Sequence, residues 1–185
     1  MPYVLVGGNS FFDRKEVRDV LAYLRLLVNP SDNNAFYRIA NVPRRKIGTA
    51  TLDAIGAYAQ QQGEPVFTAC ANPPRGELNE SGRRQLRQFH AWMTGLARRC
   101  AGGDSDGAVR ALFSDIDYRG WLEQNSTSAE AAERRWSNVE FLLDNLLRSL
   151  HFGEDDSIEA AIERLILRDL LEQQEEEDQR VVLGP

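Results

Sequence analysis

Between Glu16 and Leu170 the apolar residues recur every three or four positions, interrupted where proline, glycine or clusters of small polar residues fall. That spacing suits the 3.6-residue turn of an α-helix and leaves little room for a sheet. EVRDVLAYLRLLVN sets Val17, Val20, Leu21, Leu24, Leu27 and Val28 on one face and stops at Asn29-Pro30. Ser31 is placed to cap a second helix carrying Phe36 and Ile39, which ends at Pro43. A third helix follows with Thr49 or Thr51 as its cap, Leu52, Ile55 and Ala59 on its buried face, and Gly63 past its end.

Further along, Pro65 opens a short helix through Phe67 and Cys70, and NPPRGELNE reads as a loop. From Ser81 a long helix lines up Leu86, Phe89, Met93, Leu96 and Cys100 until GGDSDG, and shorter helices are expected at 109–113 and 118–122. The strongest pattern is 128–150, where Trp136, Val139, Leu143, Leu146, Leu147 and Leu150 share a face. Asp156 and Glu159 suit a capping box for a last helix built on Ile158, Ile162, Leu165, Ile166 and Leu170, which is expected to dissolve into the acidic run at 175–178.

Strand patterns occur at the two ends, YVLV at 3–6 and RVVL at 180–183. The expected fold class is therefore mainly α, with a helix-hairpin-helix-like unit and a short β-strand at each terminus. A lone strand leaves its backbone groups unpaired, so the ends would pair with each other, with another copy, or with a sheet elsewhere. The last arrangement is that of a helical domain inserted into another domain.

With 185 residues, 42% of them hydrophobic and 27% charged, the chain can bury a core without staples. No apolar run approaches the ~18 residues of a membrane span, and no secretory leader is evident, so a membrane partner is not expected and a cytoplasmic location is. Cys70 and Cys100 sit in apolar helical patterns and read as reduced thiols. The net charge of −6 argues against a surface that binds nucleic acid all over, so any such contact must be local. Basic residues gather at 44–46, 83–87 and 98–99.

Catalytic signatures are missing. The chain has no G-x-x-x-x-G-K-[ST], H-E-x-x-H, C-x-x-C or G-x-S-x-G. His90 and His151 lack metal-ligand spacing, and the pairs Asp115/Asp117 and Asp155/Asp156 stand in turn or cap contexts.

NVPRRKIGTATL, residues 41–52, joins the second helix to the third. A helix N-terminus carries free N–H groups and partial positive charge, the elements of an anion site. Gly48 would admit a phosphate to the backbone, Thr49 and Thr51 could donate hydroxyls, Ile47 would plug the turn into the core, and Arg44, Arg45 and Lys46 would supply charge. The same residues also fit a plain turn with a helix cap and solvated cations.

Two segments carry a resemblance. GGNSFFDRKEVRDVLAYLR resembles G-G-x-x-F-F-x-R-x-E-[IV]-[KR]-D-x-[LI]-[AS]-Y-L-R of the Rep/UvrD/PcrA helicases, superfamily 1 enzymes that unwind DNA from 3′ to 5′. VPRRKIGTATL is similar to that family's T-P-x-R-x-I-G-x-x-T-L, with Val42 for Thr and Lys46 where many members have Gly. The family's next motif, T-x-H-x-[AS]-K-G, is expected just past this chain, and Gly184-Pro185 departs from it.

The resemblance implies the inserted 2B subdomain of such a helicase, regulatory and duplex-contacting rather than catalytic. Residues 1–10 would be the strand and hinge from the 2A core, 11–175 the helical subdomain, and 176–185 the return strand. Arg44, Arg45, Lys46, Ile47, Gly48, Thr49 and Thr51 would meet DNA, while Gly7, Gly8, Gln179, Arg180, Val181 and Val182 would form the hinge. Implied partners are duplex or fork DNA through its phosphates, the 2A and 1B subdomains, and replication or repair proteins in a bacterial nucleoid. ATP and Mg2+ are implied for the parent helicase, and no cofactor for this chain. The alternative is a protein-interaction or dimerisation module of the same helicase, with the acidic run as its docking face. Phe11, Phe12, Arg14, Glu16 and Asp19 are expected to anchor the first helix.

Overall fold

The computed structural model describes residues 11–152 and 157–183. A 3-10 turn at Phe11–Asp13 leads into α1 (Lys15–Val28), followed by α2 (Asn33–Ile39), α3 (Thr49–Gln62), α4 (Val66–Ala69) and α5 (Glu80–Ala101). Then come α6 (Ser105–Asp115), α7 (Tyr118–Gln124), α8 (Ala129–Phe152) and α9 (Ile158–Val182).

The helix at the centre is α1. Its sequence stripe suggests one buried face, yet Glu16, Val17, Asp19, Val20, Leu21, Ala22, Tyr23, Leu24, Leu26 and Leu27 are all buried, because α2, α5, α8 and α9 enclose it. Charged residues can occupy such a helix only when each finds a partner. Glu16, 4% exposed, accepts from Arg135 Nε at 3.1 Å and Asn138 Nδ2 at 2.8 Å on α8. Asp19, 3% exposed, accepts from Arg38 Nε on α2 at 2.9 Å and from the Tyr118 hydroxyl on α7 at 2.7 Å. Arg18 donates to Asp169 on α9 at 2.9 Å, and Asp169 is 2% exposed. Arg14 Nη1 donates to Asn138 Oδ1 at 3.1 Å, and Phe12 is buried. Arg14, Glu16, Arg18 and Asp19 of the FFDRKEVRD segment thus hold α1 to its neighbours.

Side-chain caps start α2, α5, α6, α7 and α9, whereas α1, α3 and α4 begin without one. Asp32, not Ser31, caps α2 by accepting from Ala35 N–H, and Asn79, Asp104 and Asp117 do the same for α5, α6 and α7. Ser157 caps α9, while the proposed cap Asp156 lies outside the described residues. Asp115 accepts from the Trp92 indole N–H at 2.9 Å. Both Asp115 and Asp117 are therefore occupied structurally. His90 stacks on Phe67 with ring centroids 4.7 Å apart, and its burial holds its pKa below the usual value. Burial pushes the Cys70 thiol up to about 12, and both cysteines are free.

The fold-class expectation of a strand at each terminus is corrected. No strand occurs among the described residues, and Gln179–Val182, expected in a return strand, are the final turns of α9. The acidic run does not end that helix either. Gln and Glu are good helix formers, nothing from 173 to 183 is Pro or Gly, and a helix pairs its backbone locally where a lone strand cannot. The other expected strand, YVLV, lies outside the described residues.

Candidate nucleic-acid interface

The turn between α2 and α3 is built from inside. Asn41 Oδ1 accepts from the backbone N–H of Arg45 at 2.8 Å and of Ile47 at 3.3 Å, an arrangement that bends residues 41–47 into a compact loop. The Val42-Pro43 peptide is cis, and Lys46 takes a left-handed conformation with φ of 61°. Ile47 is fully buried, as its plug role requires.

The basic triplet is divided by the fold. Arg45 turns inward: its guanidinium donates to the Ile39 and Ala40 carbonyls, which end α2, and to the Tyr23 hydroxyl. It also lies over the Phe89 ring at 4.8 Å. Tyr23 in turn donates to the Val42 carbonyl. Burial pushes the Tyr23 pKa up to about 12, against the lowering influence of Arg45, so the phenol stays a donor at neutral pH. Arg44 and Lys46 point out and are exposed.

Arg44 and Pro43 line two clefts. One, of about 510 Å³, is completed by Arg45, Gln85, Gln88, Phe89, Trp92, Asp115 and Ile116. The other, of about 370 Å³, runs along Asp117, Gly120, Trp121, Gln124 and Asn125. The hairpin tip therefore projects between α5 and α7.

Gly48 is the N-cap of α3 and offers no side-chain cap; no acidic residue stands in the first turn. A Cβ at Gly48 would meet nothing within 4 Å, so internal packing does not demand glycine there. Thr49 is exposed beside it. Thr51 is half-buried and faces another way: its Oγ1 lies 3.0 Å from where a Cβ on Gly82 would stand, so it packs α3 against the start of α5.

Of the residues expected to meet DNA, Arg44, Lys46, Gly48 and Thr49 are exposed, Arg45 and Thr51 are half-buried with internal contacts, and Ile47 is buried. Of the hinge residues, Gln179, Arg180, Val181 and Val182 are exposed on α9, Val182 at 82%, and Gly7 and Gly8 lie outside the described residues. Sequence reading missed Asn41 and Tyr23 as builders of the loop. Asn before a Val-Pro turn is a signal for the first; the second acts across 19 residues and leaves none.

Fold and site define an all-helical domain, among its described residues, that displays a basic hairpin between two helices. Residues 1–67 match the UvrD-like helicase C-terminal domain. The chain is 39% identical over 183 residues to ATP-dependent DNA helicase Rep of Salmonella typhimurium, covering 97% of this chain and 27% of the relative. It is 38% identical to Rep of Escherichia coli, with the same coverage, and 31% identical over 178 residues to ATP-dependent DNA helicase PcrA of Bacillus subtilis, covering 95% and 24%. The chain belongs to the Rep/UvrD/PcrA helicase family, and it spans about a quarter of the length of these relatives.

Proposed function

We propose that this chain is the 2B subdomain of an ATP-dependent DNA helicase, a non-catalytic element that holds duplex DNA by its phosphates. The observation that carries this is the exposure of Arg44 and Lys46 beside the uncapped, open N-terminus of α3. Two cations, free backbone N–H groups and the Thr49 hydroxyl form a surface that suits a phosphate and reads no base. In this reading residues 11–175 are the subdomain body, and its connections at Gly7-Gly8 and Gln179–Val182 let it swing against the 2A and 1B subdomains. A bacterial cytoplasmic setting in replication or repair accompanies it. No helix among the described residues is long and apolar enough to cross a membrane.

ATP and Mg2+ belong to the parent enzyme. This chain carries no G-x-x-x-x-G-K-[ST] phosphate loop. Purified chain is expected to show no DNA-stimulated ATP hydrolysis in a phosphate-release assay. Clear turnover would place a nucleotide site within these residues and overturn the assignment.

Duplex affinity tests the hairpin. With so few cations and a net charge of −6, binding is expected in the non-specific range of ~10⁻⁴ to 10⁻⁶ M. Arg44→Glu and Lys46→Glu should each weaken it at low salt and flatten the log-affinity against log-salt slope by about 0.9 for the lost contact. Unchanged affinity and slope in both variants would remove the hairpin from the function. The protein-interaction reading is favoured by the exposure of Leu167, Leu170 and Leu171 on α9, and it gains if DNA binding is absent.

A further inference from the structure

The cluster at 83–87 is sorted by the fold much as the triplet is. Arg83 and Arg87 both bind Glu80, at 2.8 and 3.2 Å, and Arg83 also donates to the Pro73 carbonyl at 3.3 Å. Glu80 offsets one of these two positive charges on that flank of α5. Arg84 is exposed and makes no hydrogen bond or ion pair among the described residues.

Its position relates it to the hairpin. The start of α5 touches α3 where Gly82 meets Thr51. One turn on, Gln85 and Gln88 share the 510 Å³ cleft with Pro43 and Arg44. Arg84 precedes Gln88 by four residues and so stands one turn N-terminal to it, on the same side of the helix. The acid in this cleft, Asp115, is engaged by the Trp92 indole. A surface of cations and amides, with the Asp115 carboxylate among them, therefore runs from Arg44 across the cleft to Gln88, and Arg84 stands one turn beyond its lining.

Resting on the function proposed above, we propose that Arg84, with Gln85 and Gln88 beside it, is a second phosphate-binding track on α5. A duplex held at the hairpin by Arg44 and Lys46 is then gripped on both sides of the cleft. Guanidinium and amide groups bind phosphate oxygens directly, and two separated contacts fix a duplex's direction where one contact leaves it free to pivot.

The test is duplex binding by fluorescence anisotropy between 50 and 200 mM salt, using the full chain with Arg84→Glu, Arg44→Glu and, as a control of equal charge change, Arg168→Glu on α9. Arg84 makes no hydrogen bond or ion pair among the described residues and feels only the nearby Glu80 charge, so its variant should stay within a few degrees of the parent's unfolding midpoint, which is measured alongside. Arg84→Glu is expected to bind more weakly than Arg168→Glu. Its deficit against the parent should shrink about threefold across that salt range, as loss of one contact of slope about 0.9 requires. If Arg44→Glu weakens binding while Arg84→Glu matches Arg168→Glu, the α5 track is refuted and the hairpin stands. Equal losses in Arg84→Glu and Arg168→Glu mean net charge alone and also refute it. A parent chain that fails to bind at 50 mM salt refutes the track and the hairpin together.

Discussion

Arg45→Ala is expected to lower stability by about 3 kcal/mol, the scale of losing hydrogen bonds from a charged donor and stranding their acceptors. For a chain of this size that corresponds to a fall of about 6–12 °C in the thermal midpoint, measured by circular dichroism. The change removes the donor to the Ile39 and Ala40 carbonyls and to the Tyr23 hydroxyl, and empties the face of Phe89. Arg45→Lys keeps the charge without the fork, so it should recover less than half of the loss. That variant separates two roles. A phosphate contact would tolerate lysine with little change in folding, whereas an internal clamp would not. A midpoint unchanged in Arg45→Ala would sink the clamp.

The other large effect lies at Asp19. Its carboxylate joins α1 to α2 through Arg38 and to α7 through Tyr118, whose hydroxyl is held protonated by burial first and by the adjacent carboxylate second. Removing one partner of a buried pair costs about 3–5 kcal/mol, and Arg38 is 39% exposed, so Asp19→Ala should fall near the lower figure. Tyr118→Phe alone should cost about 1 kcal/mol. In urea unfolding the double variant should be less destabilised than the sum of the two singles, because they share one hydrogen bond. Strict additivity would show that the Tyr118 hydroxyl is not bound to Asp19 in solution.

Both predictions concern residues inside the segments that carry the family resemblance; Asp19 anchors the first helix as its segment suggested, whereas Arg45 departs from its neighbours. Arg45 belongs to the arginine-rich turn, and its neighbours made it look like one of three equivalent cations. The fold gives it a structural task because Asn41 reverses the chain and brings the guanidinium onto the open carbonyl end of α2. Arg83 and Arg87 share the single carboxylate of Glu80, so that pair keeps one net positive charge. In these two clusters the exposed cations without a hydrogen bond or ion pair among the described residues are Arg44, Lys46 and Arg84.

The error at the C-terminus has a different source. Two adjacent valines after an acidic run looked like a strand, but local β-preference is weak where no neighbouring strand is present to reward it. Here Ile158–Val182 continues as one helix, and its exposed Leu167, Leu170, Leu171, Val181 and Val182 extend past the residues that touch the core.

The sequence by itself determined the helical framework: apolar period, proline and glycine breaks and capping residues act within a few positions, and all of them are read along the chain. It also carried the family resemblance through the FFDRKEVRD and PRRKIG segments. Tertiary structure alone decided which charged side chains face outward. Asp19 meets Tyr118 across 99 residues and Glu16 meets Arg135 across 119, and no local rule encodes such pairings. Because a charge is buried only when a partner from another helix meets it, the division of the basic residues between core clamp and open surface is a property of the packed molecule.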